Sequence, residues 1–216
     1  NIDIEEFYVS NEKDKPLEKV IQAIIDAGNR GVKVRVISEA AFYKTYPETL
    51  DRLKKEKNIS IRIIDIKKLK GGVMHAKYFM VDNQQVYLGS QNFDWRSLMH
   101  IHEIGVRIAN AECVRIFSDL FELDWQLAEK NDPSLTKQIL VPKQYTVPIT
   151  INESSTESIV FTPVYSPTGL IPDQALWDET KLVELMDSAK QALEMQVMTY
   201  NPTERGGYYE ALDNAL

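Results

Sequence analysis

The segment 17-LEKVIQAIIDAG-28 places Leu17, Val20, Ile21, Ile24 and Ile25 on one face of an α-helix. It lies between two strand-like stretches, 2-IDIEEFYVS-10 and the strictly alternating 32-VKVRVI-37. An amphipathic helix between two strands has to bury its apolar stripe on the sheet they form. That succession limits the fold more than any other feature here. Gly28 offers a stop for the helix, and Gly31 falls in the following turn. A helical piece around 49-TLDRLKKEK-57 and another alternating strand, 59-ISIRII-64, extend the series. The β-α-β-α-β order predicts parallel strands joined by right-handed crossovers in an α/β layered fold.

Further along, 65-DIKKLKGGV-73 reads as a basic, glycine-containing loop, followed by strands 74-MHAKYFMV-81 and 85-QVYLG-89 around the turn 82-DNQ-84. A third strand is expected at 103-EIGVRIA-109. The apolar face of 112-ECVRIFSDLFELDWQLA-128 then predicts a helix whose aromatic residues serve packing. Six of the nine prolines lie between Pro133 and Pro172. Residues 129–172 therefore read as a Pro-rich, partly extended connector outside the core. Order is expected to return with a helix over 178–193, a strand over 194–200 and a helix over 207–216. That trio repeats the opening pattern. It suggests a first lobe at 1–128 and the start of a second at 173–216.

With a net charge of −7, the chain is no general polyanion binder, and any phosphate-binding surface has to be local. The single cysteine, Cys113, rules out an intrachain disulfide and a cysteine metal cluster. It favours a bacterial or cytoplasmic setting over a disulfide-rich lumenal one. No apolar run reaches the roughly 18 residues of a membrane span. The chain opens on a strand-like segment without Met and is expected to be a fragment.

Residues two apart in a strand share a face. His75 and Lys77 are therefore expected side by side, with Phe79 and Val81 beyond them. Lysine brings fixed positive charge and histidine a nucleophile or proton donor near neutral pH, a pairing suited to a phosphate. Ser90 and Asn92 are again two apart, after Gly89, which permits close backbone approach. Asn92 can donate to a phosphate oxygen. Ser90 supports the site, and Glu103 is the carboxylate expected to accept from the His75 ring and fix its tautomer. Asp82 reads as a turn residue beside Asn83. Lys67, Lys68 and Lys70 form a solvated loop that can guide an anionic substrate. His100, His102 and Glu103 offer ligand types but no fixed geometry, so no metal is assigned.

The string His75-x-Lys77-x4-Asp82-x6-Gly89-Ser90-x-Asn92 resembles the signature motif of the phospholipase D superfamily at every position. The resemblance implies that superfamily's fold: a mixed, mostly parallel β-sheet flanked by helices, in a two-lobe tandem repeat whose second lobe is incomplete here. It implies a two-step displacement with no metal or cofactor, in which one motif histidine attacks a phosphodiester and forms a phosphohistidine. A second histidine then protonates the leaving group and activates water or an alcohol. His75 would be the catalytic histidine, read as the nucleophile. Lys77 and Asn92 would bind phosphate, Ser90 and Glu103 would support the site, and Asp82 would be mostly structural. A second His-x-Lys pair is missing, so its half is expected from downstream sequence, or less readily from a homodimer partner. The stretch 89-GSQNFDWRSLMHIHEIGV-106 is similar to the first motif of lysosomal phospholipase-D-like exonucleases and their poxvirus relatives. That points to single-stranded DNA or RNA as substrate, with Phe93 and Trp95 available to bases. A phospholipase or phosphatidyltransferase is the alternative, and an inactive binding homologue the second.

Overall fold

The computed structural model describes residues 1–152, 157–203, 208 and 210–216. The opening strand is two pieces, β1 (Ile2–Glu6) and β2 (Val9–Ser10). Helix α1 (Leu17–Asn29) buries Leu17, Ile21, Ile24 and Ile25 as its periodicity predicts. It runs one residue past Gly28. A Cβ on Gly28 would lie 2.5 Å from the Lys57 carbonyl oxygen, so this glycine serves close approach rather than termination. Then come β3 (Val34–Glu39), the short α2 (Ala40–Tyr43), α3 (Glu48–Leu53) and β4 (Ile59–Ile64). Where a basic loop is expected, Ile66–Leu69 winds into one helical turn, α4, because Ile66 and Leu69 are buried and Asp65 caps the Lys68 amide. Strands β5 (Lys77–Val81), β6 (Gln85–Gly89) and β7 (Phe93–Asp94), helix α5 (Trp95–His100), strand β8 (Gly105–Ile108) and helix α6 (Ala111–Lys130) complete this part.

The central sheet has the order β4-β3-β1-β5-β6-β8. Strands β4, β3 and β1 run parallel, as the alternating sequence order requires, and β5, β6 and β8 add antiparallel. The β5–β6 turn puts Asp82 and Asn83 at φ 52° and 54°, left-handed values these residue types tolerate. One face of the sheet packs Ile4, Val34 and Val36 against α1 and α3. The other packs Ile37, Tyr78, Met80 and Val86 against α6. Alternate residues of β3 and β5 thus fill opposite cores, giving three layers.

The Pro-rich segment is not the peripheral connector expected from its composition. It contains α7 (Thr136–Ile139) and the hairpin of β9 (Ile149–Asn152) with β10 (Ser158–Phe161). Ile149, Tyr165, Leu170 and Ile171 are buried in the α6-side core. Proline density removes helical periodicity but not apolar side chains, and those close the core. Next, α8 (Asp178–Asp187) stops short of the expected 193. No strand forms over 194–200, where the side chains are exposed. A strand needs a neighbour for its backbone hydrogen bonds, and no described strand lies beside it. Helix α9 (Glu210–Ala215) occupies part of the last expected helix, while residues 207 and 209 of that expectation lie outside the described residues.

Between the sheet and α6, Glu5 and Asp124 are buried together, and the Tyr78 hydroxyl donates to Glu5 Oε2 at 2.7 Å. Burial pushes the Glu5 carboxyl up to about 7 against its hydrogen bonds with Tyr78 and Asp124, and burial followed by the neighbouring Glu5 pushes Asp124 well above its ordinary value. The folded state therefore keeps a proton, between pH 4.5 and about 7, that the unfolded chain has released. Stability falls as pH rises through that interval, by at most about 1.4 kcal/mol per unit for one proton. The Glu5→Gln variant removes that titration. Urea unfolding at pH 5 and pH 7.5 is expected to show a loss for the wild type and a smaller one for the variant.

Candidate active site

The site lies at the carboxyl ends of β1 and β3, where β5 begins. Strand β5 starts at Lys77, so His75 precedes the strand instead of lying within it. Residues 74–76 are held from the side: the Phe7 amide donates to the Ala76 carbonyl at 3.0 Å, and the Met74 amide to Glu39 Oε2 at 2.7 Å. The expected pairing of His75 and Lys77 is nevertheless present. The exposed His75 ring has Lys77 Nζ 3.1 Å from Nδ1 and 3.3 Å from Nε2. Lys77 Nζ also donates to the His75 carbonyl at 2.7 Å. The Phe7 ring backs both, 4.5 Å from the imidazole centroid and 5.1 Å from the ammonium, at cation–π distance.

Lys77 is only 8% exposed. Burial lowers its ammonium to about 8, while Glu6 and Glu103 pull the other way. Burial, then the Lys77 charge, lowers the His75 imidazolium. An unprotonated imidazole nitrogen beside a cation is chemically suited to attack a phosphate anion.

The second half of the motif arrives along β6. Its register, Tyr78 opposite Leu88, carries the end of β6 to the level of Lys77. Residues after it turn into β7, which pairs with β2 in a two-stranded parallel ribbon, Val9 opposite Phe93 and Ser10 opposite Asp94. The Asn92 Oδ1 atom is buried and has no hydrogen-bond partner among the described residues. A Cβ on Gly89 would meet the side chain of Gln91, not approaching backbone. Ser90 Oγ donates to Glu103 Oε2 at 2.5 Å and accepts from the Ile104 amide at 2.9 Å.

Glu103 thus braces Ser90, not the His75 ring, whose contacts are Lys77 and Phe7. The reason is placement: the Ser90 and Ile104 backbones are bonded to each other, which sets Glu103 over the serine. Asp82 lies at the far end of β5, roughly 16 Å from Lys77 at strand rise. It belongs to the turn, its amide bonded to the Asn1 carbonyl. Lys67, Lys68 and Lys70 are exposed around α4. Phe93 is core, packed with Ile4 and Val9, and Trp95 lies half-buried under the Lys15 ammonium at 4.3 Å. Among the described residues no group of three His, Cys, Asp or Glu side chains is arranged as metal ligands, and His100 and His102 are exposed. No described helix is long and apolar enough to cross a membrane.

Sequence reasoning missed Glu6 and Glu39, buried at 1% and 0% exposure on the ends of β1 and β3. The signal for Glu6 was available: two successive carboxylates, Glu5 and Glu6, close the strand at the carboxyl edge where α/β sheets bind ligands.

The fold is that of the solved structure "NucT from Helicobacter pylori", with a TM-score of 0.51 over 58% of this chain and 78% of that one. At 19% identity the likeness speaks to the fold alone. The family follows from the sequence. The profile described as "Cardiolipin synthase, PLD-like domain" matches residues 1–125, and the chain belongs to this phospholipase-D-like family. Its relatives include the "5'-3' exonuclease PLD3" of Xenopus laevis, 30% identical over all of this chain and 47% of that protein. Another is the "Virion nicking-joining enzyme" of Monkeypox virus, 33% identical over 93% of this chain and 48% of that protein. The chain spans about half the length of these relatives.

The depressed lysine is directly measurable. In a ¹³C NMR titration Lys77 is expected to lose its proton near pH 8, well below an ordinary lysine. Saturating inorganic phosphate is expected to raise that midpoint, because an anion beside the ammonium favours its charged form. An ordinary midpoint near 10.4 would show that the ammonium is not desolvated.

Proposed function

We propose that this chain supplies one half of the active site of a metal-independent phosphodiesterase acting on single-stranded nucleic acid. The observation that carries the reading is the exposed His75 ring held against the buried Lys77 ammonium, with Asn92 on the adjoining turn. A His75 ring nitrogen forms an N–P bond while the P–O bond to the leaving strand breaks. Lys77 and Asn92 hold the nonbridging oxygens as charge builds on them. The leaving oxygen takes a proton from a second histidine. That histidine then removes a proton from water, the water oxygen attacks phosphorus, and the N–P bond breaks.

The second histidine comes from outside these residues, since neither His100 nor His102 has a lysine two positions on. Further sequence is the favoured source, in keeping with relatives about twice as long. A second copy of the chain is the other. The apolar stretch Leu98, Met99, Ile101, Ile104 and Val106 flanks the Ser90–Glu103 pair, each side chain at least 44% exposed, and offers that half a surface. A nucleic acid substrate is supported by the nuclease names of the relatives. The cardiolipin synthase description of the matching profile supports phosphatidyl transfer instead.

The intact protein, assayed in EDTA, separates these readings. Labelled single-stranded DNA and RNA are expected to be cut, and phosphatidylglycerol or cardiolipin left unchanged. Lipid turnover without nucleotide release would replace this reading by the second. The His75→Ala variant is expected to lose activity by roughly 10³-fold or more with its thermal unfolding unchanged. Retained activity in that variant would remove His75 from the mechanism.

A further inference from the structure

Two buried glutamates stand where the parallel strands meet the motif, and neither belongs to it. Glu39, the last residue of β3, is 0% exposed. Its Oε2 accepts from the Met74 amide at 2.7 Å and its Oε1 from the Ala41 amide at 3.4 Å. Glu6, the last residue of β1, is 1% exposed, and its Oε2 accepts from the Phe93 amide at 3.2 Å. Glu6 is also the cross-strand partner of Lys77, so the two side chains share a face of the sheet.

A buried carboxylate is costly even when hydrogen-bonded, and an apolar residue would end either strand at less cost. What these carboxylates do in return is local. Met74 immediately precedes His75, and Phe93 immediately follows Asn92. Each glutamate therefore fixes a backbone amide one residue from a motif side chain, and His75 and Asn92 themselves lie outside the strands. Residues 73–76 precede β5, and residues 90–92 bridge β6 and β7.

We propose that Glu39 and Glu6 are positioning residues: Glu39 sets the His75 segment against the sheet, and Glu6 locks the Asn92 turn to the Lys77 strand. The proposal rests on the reading of His75, Lys77 and Asn92 as a phosphodiester site. It divides the labour of that site. Glu39 governs the group that attacks, and Glu6 the spacing of the two groups that hold phosphate. Both act through a hydrogen-bond acceptor, which a glutamine carbonyl also provides.

The intact protein carrying Glu39→Ala is expected to lose about tenfold in kcat with KM nearly unchanged. Glu6→Ala is expected to raise KM about tenfold with a smaller change in kcat, each the order expected for one lost buried hydrogen bond. Glu39→Gln and Glu6→Gln are expected to restore most of each loss. Hydrogen exchange is expected to quicken at the Met74 amide in Glu39→Ala and at the Phe93 amide in Glu6→Ala. If an alanine variant does not fold, aspartate takes its place: one methylene shorter, it withdraws the carboxylate from the amide. The proposal is overturned if exchange at the two amides is unchanged, if glutamine fails to rescue, or if both variants lose kcat and KM in parallel with thermal stability. A wild type that turns over no phosphodiester would end the phosphodiesterase reading instead, and the exchange measurements would then decide the positioning role.

Discussion

A lysine ammonium held almost entirely out of water is the constraint around which this structure is built. Lys77 begins β5 with its charge buried, and its neighbours answer that cost: the His75 carbonyl accepts from it, Phe7 presents a ring face, and Glu6 and Glu103 contribute negative field. The compensation is incomplete, and burial still wins, leaving the ammonium at about 8. An anion arriving beside it supplies the missing charge. On the proposed function, the site is organised for a phosphate before one binds, the preorganisation that electrostatic catalysis requires.

The sheet explains how so few residues arrange this. Three parallel strands bring the carboxyl ends of β1 and β3 to one edge, the usual binding edge of α/β sheets. Three antiparallel strands then bring the start of β5 and the end of β6 to the same edge. The β2–β7 ribbon pulls the turn after β6 back over β1. Mixed pairing therefore brings the two ends of a linear motif to one edge of the sheet. It also resolves the charge problem posed by an acidic chain. Acidic residues such as Asp3, Glu5 and Asp124 are withdrawn into the interior, and the exposed cation-bearing turn of Lys67, Lys68 and Lys70 precedes the motif.

Membership of the phospholipase-D-like family gives the half-site its context. The chain carries one His-x-Lys pair, His75 with Lys77. Exposed apolar residues run from Leu98 and Met99 in α5 through Ile101 and Ile104 to Val106 on the edge strand β8, and on the proposed function a second half would cover them.

Much of this was written in the one-dimensional pattern. The 3.6-residue period of α1 and the two-residue period of β3 and β4 specify an α/β sheet, because each period dictates one apolar face. Spacing two apart was enough to place His75 beside Lys77. What the pattern left undecided depends on contacts between distant segments. Nothing near Glu103 says that its carboxylate goes to Ser90, since that bond follows from the pairing of Ser90 with Ile104. Proline spacing hides the burial of Ile149 and Ile171, because core membership depends on what the segment covers. Glu6 and Glu39 read as strand-end charges until tertiary structure sets the Phe93 and Met74 amides against them. The sequence by itself determined the elements and the motif, which are local consequences of periodicity and spacing. Only the tertiary structure decided which carboxylate faces which donor, because burial and hydrogen-bond partnership belong to the packed sheet and not to any one segment.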